Sequence, residues 1–249
     1  MQDRYAGDIG DFAKYGLLRA LCGDDLRLGV LWYLVPDEPS DGNGGVTGYL
    51  DSVEAGLREC DPDLFDELRG LVATERSVAE VQRRRILPER TSFFEHEAPA
   101  GLRERRRWVQ DGVRAVADAD LVFADPDNSL RDPSARTGRT EHKKHAYYDE
   151  IQPCWRRGQS LMIYQHTARL GTFEEQIASR VRDLCTHFDG APGLMILRWR
   201  RVVSRAFLII PAAAHADRLT ARVDALLDSP WGQRQQGYAT PHFELVAYE

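Results

Sequence analysis

The 249-residue chain has few cysteines, only four, at positions 22, 60, 154 and 185. No two lie closer than 31 residues, so CxxC-type zinc and redox spacing is absent. Each is expected to be a small, buried, reduced apolar residue. Long apolar runs are also lacking. The longest, Leu28–Pro36 and Ala206–Ala214, are nine residues each, against the roughly 20 a membrane-spanning helix needs. The opening Met-Gln-Asp-Arg leads into no apolar core with a cleavage site, so a cytoplasmic protein is expected. There is no repeat, no low-complexity tract, no HExxH, no GxSxG and no Walker A motif. A surplus of positive charge is missing too. The net charge of −6 argues against nonspecific wrapping by long nucleic acid, although it leaves room for a local basic patch.

What is present reads as α/β. Asp8-Ile9-Gly10-Asp11 has the form of an N-cap with a second acid in the first turn, predicting a helix to about Cys22. Its core stripe is Leu17, Leu18 and Leu21, with Lys14 on the same face. A lysine heading an apolar stripe snorkels to the edge or points into a pocket, and from spacing alone snorkelling is the commoner outcome. Leu28–Val35 suits a strand buried on both faces. Residues 46–90 form a helical insertion, in which Asp61-Pro62 opens one helix and 78–86 another. Strands are expected at Thr91–Glu95, 120–124, Ser160–Tyr164, Leu194–Trp199, Ala206–Ile210 and Phe243–Tyr248. The helices fall at Leu102–Ala117, Tyr147–Trp155, Phe173–Cys185 and 215–227. Alternating elements predict one domain with a mainly parallel sheet, helices on both faces and a late antiparallel hairpin. Ligands of such sheets lie beyond the carboxyl ends of the strands, which directs attention to 36–45, 95–97, 125–128 and 164–166.

Three of those segments carry chemistry. Asp125-Pro126-Asp127-Asn128 offers a carboxylate to a substrate amine or ligand, with a rigid proline aiming a carbonyl at the same point. A strand-ending turn is the competing reading, because Asp, Pro and Asn all form turns. The loop Asp41–Gly48, with Gly42, Gly44, Gly45 and Gly48, misses the GxGxxG spacing by one residue. It suits a loop passing close to a nucleoside-type ligand better than a phosphate cradle. Tyr164-Gln165-His166 places an imidazole at a strand exit, as a general base or, more commonly, as a partner for local backbone. Basic clusters occur at 83–85, 103–107, 143–144 and 198–201. The last surrounds Trp199, and arginines interleaved with an aromatic are one footprint of nucleic-acid contact.

Tyr5-Ala6-Gly7-Asp8-Ile9-Gly10-Asp11-Phe12-Ala13-Lys14-Tyr15 resembles the N-terminal signature of the ribosomal RNA large-subunit adenine-N6 methyltransferases, His-Ala-Gly-Asn-x-Ala-Asp-Val-Leu-Lys-His. Ala6, Gly7, Asp11 and Lys14 are kept, and Tyr5 and Tyr15 stand where that family has histidines. In order along the chain, Leu31–Asp37 falls at the family's first strand and cofactor loop. Glu95 falls at the acid ending its next strand, and Asp125 begins the counterpart of its Asp-Pro-Pro-Tyr. The resemblance implies a Rossmann-like fold and S-adenosylmethionine-dependent N-methylation of nucleic acid, RNA ahead of DNA. It implies that Lys14 and Tyr15 approach the cofactor, and that Asp37, Asp41 and Gly42 border its methionine end. Glu95 would hold the ribose hydroxyls, and Asp125, Pro126 and Asn128 are the expected catalytic residues, with Asp125 orienting the attacking amine. The sequence departs from the family at Asp127 and Asn128, which replace a proline and an aromatic, so base stacking would fall to Tyr164 or Trp199. His166 and Arg200 complete the expected substrate side. The departure at Asp37-Glu38-Pro39 brings two acids to the cofactor's carboxylate, for which Lys14 would compensate. Two other readings stand beside this one. In the first, Asp125, Asp127, Glu95 and His166 hold a divalent metal that hydrolyses a phosphoester. The second is a catalytically silent nucleic-acid-binding module.

Overall fold

The structure is a computed structural model, and it describes all residues except 38–44, 52–55, 137–139, 168–170, 203, 235–237 and 249, together with the side chains of 140 and 141. Its strands are β1 (Leu28–Trp32), β2 (Thr91–Phe94), β3 (Leu121–Asp125), β4 (Leu130–Arg131), β5 (Ala146–Tyr147), β6 (Ser160–His166), β7 (Met195–Trp199), β8 (Arg205–Ile210) and β9 (Phe243–Leu245). The helices are α1 (Ile9–Cys22), α2 (Leu57–Cys60), α3 (Pro62–Thr74), α4 (Val78–Arg83), α5 (Leu102–Ala115), α6 (Tyr148–Arg156), α7 (Phe173–His187) and α8 (Ala216–Leu227).

Seven strands form one sheet in the order β2-β1-β3-β6-β8-β7-β9. From β2 to β6 every pairing is parallel, and Leu28 sits opposite both Thr91 and Leu121. β8 runs antiparallel to both neighbours, so β7 regains the direction of the parallel set and β9 again opposes it. The late antiparallel hairpin is thus present, but its returning strand is wedged inside the sheet rather than added at the edge. The stretch between Asn128 and the helix near Tyr147, expected to be a polar loop, carries a second, two-stranded parallel pair, β4 with β5.

Both sheet faces are covered, for the reason the apolar strand runs suggest. Alternate residues of one strand feed different cores. Val30, Trp32, Phe123 and Tyr164 pack against Leu17, Leu18, Leu64, Val81 and Leu219 from α1, α3, α4 and α8. Leu31, Val122, Ala124 and Ile163 pack against Trp108, Ile151 and Leu184 from α5, α6 and α7. The helix starts are chemically built. Asp8 accepts from the Asp11 N–H at 2.9 Å, Asp61 from Leu64 N at 3.0 Å, and Thr172 from Glu175 N at 3.2 Å. Between them these caps launch α1, α3 and α7.

The cysteine expectation is met only in part. Cys22 and Cys154 are buried thiols, whereas Cys60 is half-buried and Cys185 exposed, on the outer side of α7. No helix among the described residues is long and apolar enough to cross a membrane.

Candidate active site

The first turn of α1 meets the carboxyl ends of β1, β3 and β6, and there the backbone has to be small. Gly7 has φ +81°, and a Cβ on it would come within 2.7 Å of Val72. Its N–H donates to Asp11 Oδ2 at 3.0 Å. A Cβ on Gly10 would meet the Tyr164 hydroxyl at 2.8 Å, so this glycine lets the helix lie against β6. Such close approach brings Lys14 over the sheet. Its Nζ donates to Asp11 Oδ1 at 2.8 Å and to Asp125 Oδ2 at 2.9 Å, and sits 4.8 Å from the Tyr164 ring centre. Tyr15 completes the cluster by donating its hydroxyl to Asp11 Oδ2 at 3.0 Å.

Lys14 is 2% exposed, so the snorkelling expectation is overturned. Two carboxylates on the buried side, reached because α1 is pinned by Gly7 and Gly10, outweigh the hydration that a snorkelling ammonium would keep. Burial pushes against the charge on Lys14, but Asp11 and Asp125 together raise its pKa above the ordinary value. Asp125 is equally enclosed. Burial raises its pKa, against the lowering pull of Lys14 and the Met1 amino group. Lys14 therefore compensates Asp125 and Asp11 rather than Asp37, which is exposed and accepts from the Arg4 N–H at 3.2 Å.

Pro126 follows as a buried residue, and the next side chain turns away from Lys14. Asp127 accepts from Gln2 Nε2 at 3.0 Å and lies 3.7 Å from the Met1 amino nitrogen. The Asn128 backbone is clamped on both sides: its N–H donates to Lys144 O at 2.9 Å and its carbonyl accepts from His166 N at 3.2 Å. His166 is half-buried at the end of β6, edge-on to Tyr164 at 5.0 Å between ring centres. Burial first, then Arg205 and Lys14, hold its imidazole well below the usual pKa, so it is neutral at neutral pH. Tyr164 accepts from Arg205 Nε at 3.1 Å, and burial raises its hydroxyl to about 12.

Across β1 lies the second carboxylate. Phe93 packs into the α1-side core and Phe94 into the opposite one, so the alternation places Glu95 on the α1 side, the side of Trp32 and Asp125. Glu95 is exposed, and Gln82 of α4 donates to it at 2.7 Å. The strand register puts Leu31 between Phe94 and Ala124, so Glu95 and Asp125 flank the exit of β1.

Other expected residues are placed elsewhere or differently. Tyr15 is fully buried between Asp11 and Trp32. Trp199 is 1% exposed in an aromatic core with Trp231, His242 and Phe243, so it presents no face to a base. Arg200 is paired with Glu244, and Arg198 with Glu174 and Glu244 at 3.1 and 3.7 Å. Arg201 turns inward to His242 Nδ1 at 2.6 Å, with its guanidinium 3.8 Å over Tyr238. The arginine–tryptophan interleaving at 198–201 is thus satisfied within the molecule. Asp41 and Gly42 lie outside the described residues. Sequence reasoning passed over Arg205, which looked like one more cation of a basic turn, and treated Asp11 only as a helix-start acid. The Asp11–Lys14 spacing of three was the available signal.

No group of three His, Cys, Asp or Glu side chains is arranged to hold a metal ion among the described residues. Asp125 is committed to Lys14, Asp127 faces Gln2, and Glu95 stands across β1 with Gln82. An exposed carboxylate with one amide partner, at the end of the strand beside β1, can accept from a ribose diol. No protein-family model, no curated protein and no solved structure matches the chain.

Proposed function

We propose that the chain is an S-adenosylmethionine-dependent N-methyltransferase on a Rossmann-like scaffold, acting on nucleic acid and on RNA ahead of DNA. The observation that carries this reading is the pair Glu95 and Asp125, flanking the exit of β1 on one face of the sheet. The sheet is parallel there, and its one reversed inner strand, β8, lies between β6 and β7. Ligands of parallel α/β sheets sit at this end, where the strand order reverses around the first strand.

Glu95 would hold the ribose hydroxyls. When bound, the cofactor supplies a methyl group already activated as a sulfonium, so no strong base is demanded of the protein. The remaining work is alignment and charge placement by the chain's own residues. Lys14 fixes Asp125 and, through it, the turn that begins Asp125-Pro126-Asp127-Asn128. Burial of this ion pair keeps water from competing for its hydrogen bonds.

The nucleic-acid part rests on α5. The helix returns from β2, so its first turns lie at the same end of the sheet as the site. Arg103, Arg106 and Arg107 are exposed there and have no partner among the described residues, unlike the paired arginines at 198–200. Free guanidinium groups at that end of the sheet, on the face opposite Glu95 and Asp125, suit phosphate contacts, which position a nucleic acid without reading its bases.

The test is a melting curve with S-adenosylmethionine and, separately, S-adenosylhomocysteine. Ligand at about 100 times its Kd stabilises by roughly 2.7 kcal/mol, equivalent to about 5–10 °C for a domain of this size. Wild type is expected to show that rise. Glu95→Gln is expected to melt as wild type does without ligand, because Glu95 is exposed, and to lose most of the ligand-induced shift. No rise at millimolar ligand would overturn the reading.

A further inference from the structure

The enclosure of Asp125 raises the question of which group meets the substrate. Both of its neighbours in the cluster are occupied: Lys14 Nζ is divided between Asp11 and Asp125, and the Tyr164 hydroxyl holds Arg205. Asp127 is engaged with Gln2. Two side chains at the same strand exits are not engaged. The Asn128 carboxamide has no hydrogen-bond partner among the described residues, and neither has the His166 imidazole. Both are half-buried, so they are reachable from solvent without being mobile surface groups.

The two are physically tied. The His166 N–H donates to the Asn128 carbonyl at 3.2 Å, and the Asn128 N–H is fixed in turn on Lys144. A backbone held on both sides with its amide left unpaired is preorganised for an outside partner. An asparagine side chain offers one acceptor and two donors in a plane. It can pair with an amino group and the ring nitrogen beside it, the edge presented by adenine or cytosine. The neutral imidazole of His166, carried on the backbone bonded to Asn128, adds one donor and one acceptor.

We infer that Asn128, seconded by His166, is the group that binds the amino edge of a nucleobase, while Asp125 is the positioning residue that, locked to Lys14, sets the turn carrying Asn128. The inference rests on the N-methyltransferase reading for its choice of an amine-bearing base. It reassigns the amine contact expected of Asp125.

Isothermal titration of the whole chain with AMP and CMP tests it, each compared with its analogue bearing a dimethylated exocyclic amine. The analogues keep the ring and lose the donor hydrogens. Wild type is expected to prefer AMP or CMP over its dimethylated analogue by about tenfold, the worth of one well-made hydrogen bond. Asn128→Ala is expected to bind the two members of the pair equally, with its melting temperature within a few degrees of wild type. His166→Gln, which retains a donor and an acceptor, should keep part of the preference, and His166→Ala should lose more of it. An undiminished preference in Asn128→Ala overturns the assignment. So does a wild type that fails to bind either nucleotide or does not discriminate within either pair. S-adenosylhomocysteine binding, measured in parallel, separates the two claims. Its absence with discrimination intact removes the methyl-transfer reading and leaves the base contact standing, whereas its presence without discrimination does the reverse.

Discussion

Two buried ion pairs lie on opposite faces of the same sheet, and they are built differently. On the α1 face, one lysine ammonium is shared by two carboxylates, Asp11 at 2.8 Å and Asp125 at 2.9 Å. On the α5 face, Arg105 grips Glu150 with two bonds of 2.8 Å and donates a third, of 2.7 Å, to the His145 carbonyl. Arg105 is also walled by aromatic rings, with its guanidinium carbon 5.2 Å from the centre of Tyr33 and 4.9 Å from that of Trp108. The planar fork of arginine suits a carboxylate held in one fixed geometry. A lysine is a point charge that can serve acids arriving from different elements, here a helix and a strand end. The arginine pair therefore joins α5 to α6 as a clamp, and the lysine cluster gathers α1 and β3 around the strand exits. Beside the lysine cluster, two half-buried side chains, Asn128 and His166, have no hydrogen-bond partner among the described residues, whereas at the clamp the unpaired atoms, such as Arg105 Nη1, are buried.

The largest effect separating the two regions is expected from Lys14→Ala. It strands two buried carboxylates, and breaking a buried pair by removing one partner costs about 3–5 kcal/mol. Urea denaturation measures it, and a loss below 1 kcal/mol would show that water or a rearranged turn replaces the ammonium. Arg105→Lys comes next. The charge survives, but the second bond to Glu150 and the bond to the His145 carbonyl cannot both be made. A loss of about 2 kcal/mol is expected from one missing charged hydrogen bond. If Arg105→Lys is as stable as wild type, the fork geometry is irrelevant and the contrast between the two pairs collapses.

The smallest effect concerns acid, and it has opposite signs in the two regions. Near Arg105, burial lowers His145 to about 4. Its folded pKa lies below the unfolded value, so its contribution is complete above about 6.5 and is lost as pH falls toward 4. Near Lys14, burial and the neighbouring Asp11 raise Asp8 to about 6. Its folded pKa lies above the unfolded value, so the fold gains from it at low pH and loses that gain as pH rises through 6. Stability measured between pH 4 and 6.5 should thus fall less steeply on acidification in His145→Gln. It should fall more steeply in Asp8→Asn, which keeps the helix cap. Each change is about 1.4 kcal/mol per pH unit at most. Equal slopes in the two variants would mean that neither group titrates as its burial implies.

Much of the frame was legible before the fold was known. Asp8 and Asp61 announce their helices because capping is a local bond between a side chain and an N–H three residues on. The apolar runs at 28–35 and 120–124 announce strands covered on both faces, because a half-exposed strand would alternate. The position of β8 was not legible. Hairpin partners were evident from Leu194–Trp199 and Ala206–Ile210, but which of them pairs with β6 depends on contacts with residues about forty positions earlier. The strand-end positions of Glu95, Asp125 and His166 were legible from the apolar runs that precede them. Trp199 and Arg200 were expected to meet the nucleic acid, because a charge run looks the same whether its partners are a ligand or, as here, Glu244 and Glu174.

By itself the sequence determined where helices and strands begin, which residues are apolar enough to form the two cores, and which polar groups end the strands. Those properties depend on neighbours a few residues away, through capping, periodicity and burial. Tertiary structure alone decided what each polar group at the strand ends is free to do. Lys14 became buried and Asp125 enclosed only because Gly7 and Gly10 let α1 approach β6 and β3. Asn128 and His166, whose side chains are unpaired among the described residues, were brought together only when the His166 N–H met the Asn128 carbonyl. A charge in a chain is a possibility of pairing, and the partner is chosen by the element that folding brings beside it.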